Sequence, residues 1–480
     1  MLRTIIKKEI QNNIFSFRFI IAFVLLVVIV PVTILILTDD YVRRMDEYSQ
    51  RQNSVEQYLK NYAHFNRIGT ILVPSQPPLP FQMLIRGLNP DDFILENVFG
   101  EFNKDSLPVM FPLVDLTFIV TILLSLIALV FSYDSICGEK EDGTLKLMLA
   151  NPLSRAKLIL GKIVGGMLTL FIPFFISLII ALLIIHLNPR VSWSGANWGT
   201  FGFILLGAIL YVGFFYSFGV FISARHNSSS ASIMTLLFAW VLMVLVIPNL
   251  SPYIASFLVP TPSQIKVGRE VDRLTSEERD ELGRKLSKER QQELQKLYPV
   301  LIERLSEADT KERIAKDPEY RKAYEALSKE TQAAWDEANR IQSEKANTIR
   351  QDLQRREEAQ TRLSIIISAI SPLADFLYLS RDLSSTGIQN LIHFDRISRI
   401  WGQAFNDYER QKLAALQKQN PTEDWWNTPV DMSDRPRFIY YEEALASKIK
   451  SSLPVFAVLI IYSLIFFAFA YFSFIRYDVR

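Results

Sequence analysis

Cysteine is almost missing from this 480-residue chain. Cys137 is the one thiol, so no intrachain disulfide can form, and any region lying in an oxidising compartment must hold itself together by packing. Cys137 itself reads as a packed small residue. Histidine is nearly as scarce: His64, His186, His226 and His393 stand far apart, none with a partner at metal-ligand spacing. No G-x-S-x-G nucleophile motif occurs. Gly161-Lys162 has the closing glycine and lysine of a phosphate-binding loop, but Ala156 stands where the first glycine belongs and Ile163 where Ser or Thr must follow. The expectation is therefore a chain that is not an enzyme, with no catalytic residue, no metal and no cofactor of its own. Charge is also limited, at 21% of residues, and 52 basic against 50 acidic groups leave no basic surplus to suit nucleic acid.

What the chain has instead is long apolar runs, which carry about half of its 49% hydrophobic content. A membrane-crossing helix needs about 20 mostly apolar residues. Residues 17–37, 111–136, 158–187, 201–223, 231–259 and 454–475 meet or approach that length, so the fold class expected is an all-α integral membrane protein with six spans. Arg3, Lys7 and Lys8 precede the first run as in a signal peptide, but the run is long and ends in Leu37-Thr38-Asp39-Asp40-Tyr41, a poor cleavage site, so it is read as a retained span. Residues 1–16 before it place Leu2, Ile5, Ile6, Ile10 and Ile14 broadly on one helical face, which suits a helix lying at the membrane surface.

Orientation follows from basic residues in short segments. Arg3, Lys7, Lys8, Lys140, Lys146, Arg155, Lys157, Arg225, Arg476 and Arg480 fall on one side of six spans, and Arg190 alone marks the short loop on the other. Both termini are expected to be cytoplasmic, and segments 38–110 and 260–453 extracytoplasmic. The first of these should begin as a helix continuing outward over 39–66, break at Pro74, Pro77, Pro78 and Pro80, and become a small packed region over 81–99. The second is helical: Thr275 with Glu278 has capping-box spacing, followed by a sparse stripe of Leu282, Leu286, Leu294, Leu297 and Leu301. Asp317-Pro318 restarts a helix in which Tyr320, Tyr324, Leu327, Ala334, Ala338 and Ile341 recur as a coiled-coil seam. Two helices of roughly 30 to 40 residues would form an antiparallel hairpin. The apolar stretch 363–379 is interrupted by Ser371-Pro372 and Asp375, which predicts re-entrant or interfacial helices rather than a seventh span. Trp425-Trp426 and residues 438–441 look like interfacial aromatic anchors.

Within the spans few polar groups occur. Asp115, near the outer start of the second span, is a candidate intramembrane polar site, although a helix-start carboxylate is equally accounted for by the helix dipole. Gly202, Gly207, Gly213 and Gly219 with Ser217 allow close helix approach in the fourth span. The densest charge between two runs lies in 137–157. Glu139, Glu141 and Asp142 lead a short segment from Leu145 to Leu149, Gly143 permits a tight turn, and Pro152 and Ser154 suit the start of the next helix. The physical reading is a rigid elbow on the membrane face.

At these residues, Gly138-Glu139-Lys140-Glu141-Asp142-Gly143-Thr144-Leu145, then Asn151-Pro152-Leu153-Ser154-Arg155 and Gly161-Lys162, the chain resembles type-2 ABC transporter permeases, the membrane subunits of ATP-driven exporters. Ile370-Ser371-Pro372 and Ser384-Ser385-Thr386-Gly387 are similar to a subgroup with enlarged extracytoplasmic loops. The resemblance implies that the elbow is a coupling helix docking on a separate ATPase subunit that binds ATP and Mg, and that two permease subunits pair in a bacterial cytoplasmic membrane. It implies that Glu139 and Glu141 supply charged contacts to the ATPase, Gly143 and Thr144 the turn, and Leu145, Leu147 and Met148 the apolar face. Two rival classes stay open: a mechanotransmission subunit that works an extracytoplasmic partner protein through the hairpin, and a non-transporting receptor or scaffold.

Overall fold

The computed structural model describes residues 2–88, 114–149, 154–302, 307–420 and 423–475. The latter part of the packed region expected over 81–99, residues Asn151, Pro152 and Leu153 of the elbow, and Arg476 and Arg480 lie outside the described residues. The described secondary structure is helical throughout. Six helices are long and apolar enough to cross a membrane: Phe17–Asn61, Leu116–Glu141, Arg155–Leu187, Gly195–Arg225, Ser229–Leu258 and Leu445–Ile475, with a large helical insertion between the fifth and sixth. The chain divides into two compact units, Met1–Pro248 with Ala369–Arg480, and Asn249–Ser368.

The first unit opens with helix α1, Leu2–Ile14. Ser16 then caps the first span by accepting the Phe19 N–H, and that helix runs on for 45 residues to Asn61; the outward helix expected over 39–66 forms but ends five residues early, with Tyr62 as its C-cap, before a separate helix, Phe65–Ile71. The outward faces of the spans keep Ile20, Val24, Val28 and Leu35 exposed, which water would penalise and lipid does not. The fourth span is the most deeply buried of the six. A Cβ on Gly219 would lie 1.8 Å from Ser132 Oγ, and one on Gly207 2.4 Å from Leu379, so these two glycines let neighbours approach as expected; Gly202 faces open space. Two irregularities have no signal in the sequence. Residues Ile119–Leu124 and Val241–Val246 are π-turns inside the second and fifth spans. Carbonyls in both are taken up by side chains: Tyr211 donates to Thr121 O at 2.8 Å, and the Ser371 hydroxyl donates to Met243 O.

Stretch 363–379 is not one helix. It breaks at residues 369–371, and Pro372 starts a separate helix, Pro372–Leu383, whose Phe376 stacks on Tyr211 of the fourth span. After it the chain turns through Ser385 at a φ of 57° and enters helix Ile388–Gln419. This turn receives the first long loop: Leu88 N–H donates to Thr386 O at 2.7 Å, an approach possible only because position 87 is glycine, where a Cβ would sit 2.0 Å from that oxygen. Packing replaces disulfides in a satellite core of Leu59, Ala63, Phe65 and Ile68 against Phe405, Val430 and Met432. Trp425 packs on that core and Phe438 packs edge-on against Trp401, so these aromatics serve the protein interior here, while Trp426 stays half exposed.

In the second unit the expected capping box is absent. Ser263 caps a helix at Gln264–Arg273, the chain continues through a π-turn at Leu274–Glu278, and Thr275 lies mid-helix with its hydroxyl donating to Val271 O. An upstream cap makes the Thr275 signal redundant. Asp317 does open the second long helix, accepting the N–H groups of Glu319 and Tyr320 at 2.9 and 3.1 Å. That helix, Pro318–Ser368, has 51 residues, about 77 Å at 1.5 Å per residue, longer than expected because no breaker intervenes before Ser371-Pro372. It packs antiparallel to Arg279–Leu297: Gly283 abuts Trp335, and Arg290 pairs with Glu330 at 3.2 Å. The expected seam holds at Tyr320, Ala334 and Ala338, which are buried, and shifts by one residue at two positions. Ala323 and Gln342 are buried, whereas Tyr324 is exposed, and Leu297 on the facing helix is also exposed.

Asp382 accepts the Gln389 N–H at the start of the helix that follows it, and burial, followed by the smaller effect of Glu443, pushes its carboxyl from 3.8 up to about 6. A folded value above the unfolded one means that the ionised form costs stability above pH 6, and that the cost is relieved as pH falls through 6 toward 4. Thermal unfolding of Asp382→Asn should therefore show a smaller gain between pH 7.5 and 5 than the native chain, by up to roughly 1.4 kcal/mol. Identical pH profiles would refute this.

Candidate functional site

The elbow is built where the second span ends. A turn over residues 133–136 sets off a short helix α2, Cys137–Glu141, and after Gly143 a second one, α3, runs over Thr144–Leu149. The turn is pinned by the fourth span: the N–H groups of Ile136 and Cys137 donate to Ser223 Oγ at 3.0 and 3.1 Å. Gly143 has a φ of 71° with no atom within 4 Å of a would-be Cβ, so glycine is required by backbone conformation and not by crowding.

Helix α2 is held between the fourth and fifth spans by charge matched to helix ends. Lys140 Nζ donates to the carbonyls of Ala224 and His226 at 2.6 and 3.0 Å, where the fourth span ends. Glu141 accepts the Ser229 N–H at 3.0 Å and the Ser229 hydroxyl, where the fifth span begins. The turn containing Arg225, His226 and Ser228 is thus built into the elbow's support, and Ser228 caps the fifth span by accepting the Ala231 N–H.

Glu139 points inward. Its Oε1 lies 2.8 Å from Lys162 Nζ, and Lys162 also meets Glu9 Oε1 at 3.0 Å, so α1, α2 and the third span converge on one buried ammonium. Glycines on the third span make that convergence possible: a Cβ on Gly161 would lie 2.6 Å from Ile5, and one on Gly165 2.8 Å from Glu9 Cβ. Around this centre, Arg18 pairs with Asp134 at 2.7 Å beside Tyr133, and Arg155 donates to Phe474 O at 3.0 Å, joining the first span to the second and the third to the sixth.

The residues singled out from the sequence therefore divide. Glu139 and Leu145 are turned into the protein, Leu145 being 1% exposed. Glu141, Gly143 and Thr144 are at the surface, and Met148 is half-buried with Lys8 Nζ 3.3 Å from its sulfur. The Leu147 side chain lies outside the described residues. Ser154 stands at the N-cap of the third span without a side-chain cap hydrogen bond. Lys162, which the sequence offers only as an incomplete phosphate loop, is the centre of the arrangement; its partners are 153 and 23 positions away, too distant for any local pattern.

Asp115 stands at the opposite end of the second span, at its start, 6% exposed. One carboxylate oxygen accepts the Phe118 N–H at 2.7 Å and the other the Arg86 N–H at 3.1 Å, so it caps the span and anchors the preceding loop. Among the described residues no group of acidic, histidine or cysteine side chains is arranged to hold a metal ion.

The model of a family described as ABC-2 family transporter protein matches residues 3–479. Two curated relatives, each named a probable ABC transporter permease protein NosY, come from Stutzerimonas stutzeri and Pseudomonas aeruginosa. Each is 35% identical over 147 residues, 31% and 30% of this chain respectively and 52% of the relative, so the chain spans about half the length of the curated relatives it matches.

Proposed function

Because the chain belongs to the ABC-2 family of transporter proteins, as one of its membrane permease subunits, we propose that it couples ATP hydrolysis by a separate ATPase subunit to export across a bacterial cytoplasmic membrane, with the elbow at 137–149 as the docking point. Both termini and the elbow then face the cytoplasm, and a second permease subunit, identical or closely related, completes the membrane part. ATP and Mg belong to the partner ATPase.

The observation that carries this reading is the division of labour within the elbow. One side is fastened by Lys140, Glu141, Glu139 and Leu145 to three spans, while Asp142, Gly143 and Thr144 are left exposed at its tip. A surface built this way transmits a push, because force applied at the tip meets charge-assisted bonds to the fourth and fifth spans instead of a free loop. The docking contacts are accordingly assigned to Asp142, Gly143, Thr144 and the outer side of α3 with Met148, and Glu139 and Glu141 are assigned to the inner fastening. Asp115 is assigned a structural part.

Asp142→Arg together with Thr144→Arg should reduce ATPase co-purification at least tenfold while leaving membrane insertion and the thermal midpoint unchanged. Undiminished co-purification and transport-linked ATP hydrolysis would refute the docking assignment. A second reading is supported by the first part of the insertion lying in a separate compact unit, Asn249–Ser368: movement below would be passed to an extracytoplasmic partner protein. Deleting residues 271–359 separates the two, since export of a small substrate would survive the deletion and regulation of a partner would not.

A further inference from the structure

We propose that Lys8, Glu9, Glu139 and Lys162 form a transfer clasp, in which Glu139 passes from Lys162 to Lys8 when the elbow moves while Lys162 keeps Glu9. The inference rests on the elbow being the moving part, as proposed above. Two ammonium and two carboxylate groups meet here, and their burial is graded: the Lys162 side chain is 3% exposed, Glu9 13%, Glu139 18% and Lys8 50%.

Three features make this arrangement a releasable contact. First, an ammonium as enclosed as Lys162 is costly to leave unpaired, which would ordinarily lock its partner in place. With Glu9 already at 3.0 Å, Lys162 remains paired after Glu139 departs, so the elbow can leave without stranding a buried charge. Second, Glu139 is only half satisfied at Lys162. Its Oε1 is shared between Lys162 at 2.8 Å and Lys8 at 4.0 Å, while its Oε2 is buried with no hydrogen-bond partner among the described residues. A carboxylate with an unfilled oxygen gains by moving toward a more solvated ammonium. Third, the receiving group is in position. Lys8 Nζ already reaches across to Met148 of α3 at 3.3 Å, so a small displacement of the elbow exchanges a contact at 2.8 Å for one now at 4.0 Å.

The glycines at 161 and 165 set the geometry. Ile5 and Glu9 come so near the third span that a side chain at either position would displace α1 and carry Glu9 out of reach of Lys162. Helix α1 is therefore the fixed half of the clasp, α2 the moving half, and Lys162 a positioning residue between them.

The test is amide hydrogen exchange over residues 137–149 of the full chain in lipid nanodiscs. Lys162→Gln should speed elbow exchange on the order of tenfold, and Lys162→Arg should restore the native rate. Glu9→Gln should act with the opposite sign and slow it, because Lys162 then has Glu139 as its one charged acceptor. A merely structural contact would loosen the elbow in both variants, so faster exchange in both would overturn the clasp. Should Lys162→Gln fail to fold, the isosteric Glu9→Gln decides alone: slower exchange supports the clasp, and faster or unchanged exchange overturns it. In the complex with its co-purified ATPase, Lys8→Gln should leave resting exchange within twofold and abolish the nucleotide-driven change; a native response overturns the transfer to Lys8. If no ATPase co-purifies with the native chain, the docking assignment fails, and the free-chain sign test still decides the clasp.

Discussion

The structure at the elbow depends on one constraint: a lysine on a membrane-crossing helix, 2% exposed, has to be paired. Taking an ammonium out of water costs several kcal/mol unless carboxylates are held against it in good geometry. Lys162 meets this with Glu9 from α1 and Glu139 from α2, two helices that would otherwise have little reason to lie together. Their convergence sets where α1 lies, which requires glycine at 161 and 165, and where α2 lies, which in turn brings Lys140 and Glu141 to the ends of the fourth and fifth spans.

The same logic recurs around this end of the molecule. Arg18 with Asp134, and Arg155 with the last carbonyls of the sixth span, join span ends through charge where apolar packing alone would allow sliding. Apolar surface supplies the enclosure, as the buried fourth span illustrates, and charge supplies the register. An elbow fastened in this way to the ends of the fourth and fifth spans would pass a push on to them, as the proposed coupling role requires.

Much of the architecture was legible in the residues. Spans announce themselves by length and hydropathy, Asp317-Pro318 by its capping chemistry, and the break at Ser371-Pro372 by the missing N–H of proline. The elbow was legible as a motif, but its inside and outside were not. Glu139, Glu141 and Asp142 look alike in sequence, and only the positions of Lys162 and Ser229, 23 and 88 residues on from Glu139 and Glu141 respectively, distinguish an inward carboxylate from one at the surface. The π-turns were hidden because hydroxyls distant in the chain, those of Tyr211 and Ser371, take part in satisfying their carbonyls. Thr275 misled because a capping signal is local, whereas Ser263 had already started the helix.

The account stands on the elbow tip facing the cytoplasm, where an ATPase can reach it. The direct measurement is labelling of Asp142→Cys by a membrane-impermeant maleimide, with the buried Cys137 replaced by alanine. The account predicts no labelling in intact cells, full labelling in inverted vesicles, and protection there when the ATPase is bound. Labelling of that variant in intact cells would put the elbow on the wrong side of the membrane and contradict the account.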